Sequence, residues 1–324
     1  MGKWFIAGGA GFLGSHFVER LLGDDSTQQV TVYDNLSSGS PWRLAPHRDD
    51  ARLTVHEGDL HDADRLGAAI AGHDTVVHLA SNPDIARALT DPDIDFVQGT
   101  ALTRSVLEAM RQRDVPEILY ASGSGVYGDL GSVEASEDHG PLVPVSTYGA
   151  SKLAGEALIA AYAAMFDLTG RVFRFGNVVG AHQTHGVGYD FVHKLRRDPT
   201  KLAILGDGSQ SKSYIHVTDV LAAVLLARER VQQRFAVFNV ATGDYATVRD
   251  IADITVEALG LDPAAVTYEF TGGSRGWKGD VPVVRLNTDR IQALGWRCQL
   301  RAHGALRRAA NELVADVEHG PPPS

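Results

Sequence analysis

The chain has 324 residues, 44% of them apolar and 22% charged, with a formal net charge of −10. That length suits about two domains, or one large α/β unit with an appended lobe, and the acidic balance argues against nucleic acid or an anionic membrane surface as partner. Cys298 is the sole cysteine, so an intramolecular disulfide and a thiolate metal cluster are excluded.

The opening stretch MGKWFIAGGAGF lacks the pattern of a secretory leader: its apolar run is short and passes straight into a glycine-rich turn. No stretch reaches the roughly eighteen apolar residues of a membrane span, and a cytoplasmic protein is expected. Residues 3–8 read as a buried strand and 12–22 as a helix, with Phe12, Leu13, Phe17, Val18, Leu21 and Leu22 apolar. Strands are expected at 30–34, 53–59 and 74–81, and a helix at 62–71. A helix over 99–113 and a strand over 117–123 follow, then a long helix at 148–166 and a strand at 170–180. Strands alternating with helices in this way predict a parallel sheet covered on both faces. After residue 180 the rhythm changes. A Gly/His-rich loop leads into a short helix, and 202–220 resembles a hairpin running into a helix that ends near 231. A strand at 235–241 and a helix at 247–260 come next. Trp277 to Trp296 reads as an irregular lobe, and 319–324 as a disordered tail.

The first chemical signal is GGAGFLG. Gly8, Gly11 and Gly14 lie between a strand and a helix, where a tight turn lets backbone approach a pyrophosphate. Asp34 follows Gly14 by twenty residues, at the end of the next strand. A carboxylate there accepts bonds from both adenosine ribose hydroxyls and repels a 2′-phosphate, which favours NAD over NADP. Asp59 ends a third strand; it either sits near adenine or caps a helix. Leu79, Ala80 and Ser81 end a fourth strand and are expected to line the cofactor, since ligands bind at strand carboxyl ends. His78 reads as a packed or backbone-bonded histidine.

Tyr148 and Lys152 stand at i and i+4, on one helix face. A free tyrosine, with a pKa near 10, is a poor base at neutral pH. A neighbouring ammonium is expected to lower that pKa, so that Tyr148 exchanges a proton with a sugar hydroxyl while hydride moves. His182 and His185 invite a metal reading, but no carboxylate or cysteine cluster accompanies them, and none is expected.

With these stretches in place, the sequence resembles the extended short-chain dehydrogenase/reductase family, specifically its NAD-dependent nucleotide-sugar epimerases and dehydratases. The resemblance covers essentially the whole chain, through GGAGFLGSH, VYDNLSSG, EGDLHD, VVHLAS, VYGD, YGASKLAGE, RFGNVVGAH and GDGSQSKSYIHVTDV. It implies a Rossmann-type doubly wound parallel sheet with a smaller C-terminal α/β substrate lobe. The implied NAD-binding domain is 1–177, with 214–242 returning to it; 178–213 and 243–318 form the lobe. Gly8, Gly11, Phe12, Leu13, Gly14, Asp34, Asn35, Asp59, Leu60, Leu79, Ala80, Ser81, Ser122, Tyr148 and Lys152 are the implied NAD contacts. The implied substrate is a nucleotide-diphosphate sugar held by Ser81, Ser124, Tyr148, Asn177, Val187, Lys212, Tyr214 and Arg275. Lys212 stands where the family usually has arginine, a point charge in place of a bidentate fork.

Departures narrow the chemistry. Gly123 replaces a usual serine or threonine, and Ser124 is expected to supply the missing hydroxyl, with a water as the other candidate. Ser124 and Gly125 stand where the family's dehydratases carry an acidic pair. Phe96 and Gly176 also depart from pattern, and Gly123 with Gly176 suggests either extra space near the sugar or backbone convenience. A 4-epimerase is the first expectation. The alternatives are a dehydratase, decarboxylase or ketoreductase, and a non-catalytic nucleotide sensor. A homodimer through 99–113 and 148–166 is expected.

Overall fold

The computed structural model describes residues 2–276 and 279–319. Trp277 and residues 320–324 of the expected tail lie outside the described residues. In chain order the first half runs β1 (Gly2–Ala7), α1 (Phe12–Leu22), β2 (Thr27–Asp34), β3 (Leu53–Glu57), α2 (Ala63–Ile70), β4 (Thr75–His78), α3 (Leu102–Gln112), β5 (Glu117–Gly123), α4 (Thr147–Met165) and β6 (Thr169–Phe175). It continues with β7 (Asn177–Val179), α5 (Val187–Arg197), β8 (Lys201–Ile204), β9 (Ser211–Lys212), β10 (Tyr214–His216), α6 (Val217–Arg230) and β11 (Phe235–Val240). Last come β12 (Ala246–Thr247), α7 (Val248–Ala258), β13 (Thr267–Phe270), α8 (Asp289–Ala293) and α9 (Ala302–His319).

Seven strands form one sheet in the order β11-β6-β5-β4-β1-β2-β3. The β1–β2, β2–β3, β1–β4 and β4–β5 ladders are parallel, with Ile6 opposite both Val32 and Val77. Covered on both faces, the central strands need apolar residues without alternation, and Phe5, Ile6, Val30, Val32, Val76 and Val77 are all buried. This is the Rossmann-type doubly wound sheet. The chain builds outward from β1 to β3 and then returns to β4 on the other side of β1, so the strand order reverses between β1 and β4. Ligands of such sheets bind at the carboxyl ends of the strands flanking that reversal.

The described residues form two compact units. One takes the residues up to Val126 with Thr147–Arg174 and Leu221–Phe238; the other takes Tyr127–Ser146, Phe175–Val220 and those from Asn239 on. In the first unit Leu66 and Ile70 of α2, Val106 and Met110 of α3, and Ile118 and Tyr120 of β5 share one core. In the second, Phe191 of α5, Leu202 of β8, Ile251 of α7 and Leu306 of α9 share another.

Two local expectations change, and one helix is added. Residues 202–220 are not a hairpin: β8 pairs in parallel with β13, β9 antiparallel with β12, and β10 in parallel with β7. The GDG turn is real, but each short strand takes a partner distant in sequence. The strand read over 170–180 breaks at Gly176, whose N–H donates to Val240, while the next N–H, of Asn177, donates to Ser213. Helix α9 was not anticipated, although Ala302, Ala305, Leu306, Ala309, Ala310 and Leu313 keep helical spacing and are all buried.

Candidate functional site

The turn after β1 explains its glycines. Gly8 has φ +83°, and a Cβ there would lie 2.8 Å from the backbone nitrogen of Ala80, just beyond β4. A Cβ on Gly14 would collide with the Gly8 carbonyl oxygen. The turn therefore closes tightly and leaves the start of α1 open, with Gly11 as an N-cap that offers no side-chain bond and no acid in the first turn. Free N–H groups and the helix dipole at such a terminus suit a pyrophosphate. Phe12 and Leu13 begin α1 and are half-buried.

Asp34 closes β2. Its carboxylate accepts the Ala10 N–H at 2.9 Å and the Leu36 N–H at 2.9 Å. Burial pushes its pKa up, against the pull of those N–H groups and of Arg43. A carboxylate has about four acceptor sites, so two remain for a ribose diol. Asn35 accepts from the Ser37 N–H and hydroxyl. Asp59 is exposed and accepts the His61 N–H at 2.8 Å, while Asp62 is the N-cap of α2. The capping alternative for Asp59 thus falls to its neighbour. Leu60 is buried, and the Leu79 and Ala80 N–H groups both donate to the Ala7 carbonyl. The glycine cradle, open helix start and half-satisfied Asp34 carboxylate fit a dinucleotide. His78 is buried, its Nε2 pairs with the Thr103 hydroxyl at 3.1 Å, and burial, then Lys152, drives its pKa down to about 3.

In α4, Lys152 is 4% exposed and its Nζ donates to the Ala121 carbonyl at 2.9 Å. It lies 5.5 Å from the Tyr148 ring centroid and 5.2 Å from that of Tyr120. Burial pushes Lys152 down to about 8, opposed by the carboxylates of Asp95 and Glu156. Tyr148 is pushed up to about 12 by burial, with the Ser81 hydroxyl favouring the phenolate and Asp95 disfavouring it. The expected lowering of the Tyr148 pKa by its lysine is therefore absent. The ammonium sits over the ring face and is held by a carbonyl, so desolvation outweighs it.

Behind the pair, Arg174 grips Glu156 through Nε–Oε1 at 3.0 Å and Nη2–Oε2 at 2.7 Å, and the Ser122 hydroxyl donates to Oε1 at 2.5 Å. The Ser122 hydroxyl thus has its proton committed to Glu156. Around Gly123 no atom beyond its two chain neighbours lies within 4 Å of where a Cβ would stand. Ser124 makes no hydrogen bond with Tyr148 among the described residues, and the Ser81 hydroxyl acts to lower the Tyr148 pKa. Asp95 was missed by sequence reading. It is 1% exposed and accepts from Asn82 Nδ2 at 2.9 Å and Thr147 Oγ1 at 2.7 Å. No local motif marks it.

In the second unit, Lys212 Nζ pairs with Asp280 Oδ1 at 2.7 Å. Arg275 donates to the Asp280 carbonyl at 2.5 Å and to Asp129 Oδ2 at 2.6 Å. The two cations thus converge on Asp280. Asn177 bonds with buried Tyr214, whose pKa burial raises. Val187 starts α5 and packs on the core. Gly176 lies 3.2 Å, by its would-be Cβ, from the Ser213 carbonyl oxygen, so it serves close backbone packing. Phe96 is 63% exposed. Among the described residues no group of three His, Cys, Asp or Glu is placed to hold a metal ion, and no helix is long and apolar enough to cross a membrane.

The model of the NAD-dependent epimerase/dehydratase family matches residues 4–241. The chain is 33% identical to a UDP-glucose 4-epimerase of Mycolicibacterium smegmatis over 92% of its own length and 94% of the relative. It is 31% identical to a dTDP-glucose 4,6-dehydratase of Streptomyces griseus over 81% and 80%. Among solved structures it matches a UDP-galactose 4-epimerase with TM-score 0.86 and 36% identity, covering 97% and 99% of the two chains.

Proposed function

The chain belongs to the NAD-dependent epimerase/dehydratase family, and on that premise we propose that it is a nucleotide-sugar 4-epimerase. The observation that carries this reading is the intact Tyr148–Lys152 pair beside a loop, Ser124–Gly125, that holds no carboxylate. Eliminating water from a keto sugar calls for an acid and a base at that point; reversible oxidation at C4 does not.

NAD, when bound, supplies a two-electron hydride acceptor that returns what it takes. Gly8, Gly11, Phe12, Leu13 and Gly14 are assigned to its pyrophosphate, Asp34 and Asn35 to the ribose, and Asp59 and Leu60 to the adenine. Leu79, Ala80, Ser81 and Ser122, with Tyr148 and Lys152, are assigned to the nicotinamide side. Tyr148 takes the C4 hydroxyl proton and gives it back, and Lys152 holds positive charge beside it. Ser81 and Ser124 are the two hydroxyls offered to the sugar. Asn177, Lys212 and Arg275 receive the diphosphate, and Val187 and Tyr214 the rest of the nucleotide. Phosphate must then compete with Asp280 and Asp129 for the two cations. On this reading residues 1–177, with 214–242, carry NAD, and 178–213 with 243–318 carry the substrate. A cytoplasmic homodimer through α3 and the alanine-rich α4 completes it.

The test is to incubate purified protein, without added cofactor, with UDP-, GDP-, CDP- and dTDP-sugars, following C4 configuration by NMR and identifying the released cofactor. Epimer formation with bound NAD is expected. Stoichiometric NADH without epimer, or protein devoid of NAD, refutes the reading; a 4-keto-6-deoxy product assigns the dehydratase reaction instead.

A further inference from the structure

Resting on the assignment of Asp34 to the adenosine ribose, and not on the sugar chemistry, we propose that Arg43 is a positioning residue for NAD: its buried guanidinium clasps the segment after β2 onto the glycine turn and so sets the Asp34 carboxylate for the ribose. Asp34 ends β2 with both carboxylate oxygens in use, Oδ2 accepting the Ala10 N–H and Oδ1 the Leu36 N–H. The chain then folds back over it. A Cβ on Gly39 would stand 2.7 Å from Oδ1 and 2.9 Å from Oδ2, so the Gly39 backbone lies against the carboxylate where no side chain fits.

Ala10 is the meeting point. It lies in the glycine turn, between Gly9 and Gly11, and is fully buried. Its N–H serves Asp34, and its carbonyl accepts the Ser40 N–H at 2.9 Å and Arg43 Nη1 at 3.0 Å. The same Nη1 reaches the Ser38 carbonyl at 3.5 Å, and the Arg43 N–H donates to the Ser40 carbonyl at 3.2 Å. Arg43 thus holds the two residues that flank Gly39 and ties them to the turn assigned to the pyrophosphate. One side chain couples the ribose carboxylate to the phosphate cradle.

Arg43 is 6% exposed. Burying a guanidinium costs free energy, and an apolar side chain of similar volume would pack the segment without that cost. The cation adds charge beside Asp34. Burial raises the pKa of Asp34, and Arg43 lowers it together with the Leu36 and Ala10 N–H groups. Glu57 stands opposite Asp34 in the β2–β3 ladder and is exposed to solvent. The neighbouring Tyr33 turns its hydroxyl to the Asp59 carbonyl at 3.2 Å. An ionised carboxylate accepts from both hydroxyls of a ribose diol, whereas a protonated one gives up an acceptor for a donor. Arg43 therefore serves Asp34 by geometry, through Ala10, and by charge.

The experiment follows release of bound NAD from holoenzyme, by timed gel filtration and acid extraction, in wild type, Arg43→Met and Arg43→Lys. At neutral pH Arg43→Met is expected to release NAD about tenfold faster, and Arg43→Lys to stay within about threefold of wild type. As pH falls, protonation of Asp34 speeds release. Without the Arg43 charge Asp34 holds its proton to higher pH, so this acid limb should begin at higher pH in Arg43→Met and stay in place in Arg43→Lys. On an Asp34→Asn background reloaded with NAD, Arg43→Met should change release by less than about twofold, whereas a mere loop staple costs the same factor on both backgrounds. Release from Arg43→Met within about twofold of wild type, an acid limb that does not move, or an equal factor on both backgrounds overturns the proposal. If Arg43→Met does not fold, Arg43→Gln replaces it in every arm, and a displaced acid limb in Arg43→Lys overturns the proposal as well. Wild type that yields no NAD on extraction and binds none in calorimetry overturns the Asp34 assignment and the proposal together. Bound NAD without any epimer refutes the epimerase reading alone, and the release rates still decide the role of Arg43.

Discussion

Replacing Glu156 by glutamine tests the buried ion pair that neighbours Lys152. Glu156 and Arg174 side chains are each 5% exposed and share a two-point contact, completed by the Ser122 hydroxyl. Glutamine keeps the shape but leaves a guanidinium charge buried without its counter-charge. Breaking one partner of such a pair costs about 3–5 kcal/mol. At about 2.1 cal/mol/K per residue, unfolding of 324 residues carries about 0.7 kcal/mol/K, so Tm should fall by about 4–7 °C. Calorimetry at matched NAD occupancy measures this, since a bound ligand alone shifts Tm. Substituting both residues by methionine should recover most of the loss, because an apolar pair of similar volume carries no desolvation penalty. Glu156 also holds up the pKa of Lys152, so its removal should take the lysine further below about 8. A single substitution that moves Tm by less than about 1 °C would refute the reasoning.

Three further outcomes are expected. Gly8→Ala places a Cβ 2.8 Å from the Ala80 nitrogen at φ +83° and should emerge from purification with less than about a tenth of the wild-type bound NAD, read after acid release. Asp95→Asn removes a charge that raises the pKa of both Tyr148 and Lys152. Tyr148 then ionises, and Lys152 loses its proton, at lower pH. Both limbs of the pH profile of kcat should move to acid; an alkaline shift contradicts the assignment. Lys212→Met should raise KM by about tenfold with kcat within about twofold if, as proposed, the ammonium receives the diphosphate remote from C4. Its stability should change by less than about 1 kcal/mol, since Lys212 is 23% exposed and its ion pair with Asp280 is correspondingly screened.

Much of the molecule was legible from short stretches. Helix α1 and strand β5 fall where periodicity placed them, at Phe12–Leu22 and Glu117–Gly123. The Gly8 turn, Asp34 at a strand end and the Tyr148–Lys152 face follow from spacings of a few residues, because turn sterics, the 3.6-residue repeat and strand burial are local constraints. Helix α9 was legible as well, in the apolar spacing from Ala302 to Leu313, and went unread.

What the tertiary structure decided depends on residues that sequence spacing does not bring together. Strands β8, β9 and β10 sit side by side in the chain yet pair with β13, β12 and β7. Lys212 and Arg275 meet at Asp280, 68 positions from Lys212. Burial turned the expected low tyrosine pKa into a high one, because desolvation is set by everything that packs around the group. Glu156 accepts the Ser122 hydroxyl from 34 positions away, and Asp95 bridges 13 and 52 positions to Asn82 and Thr147. Local sequence supplies the chemical groups at the strand ends; long-range packing determines which hydroxyl each of them meets.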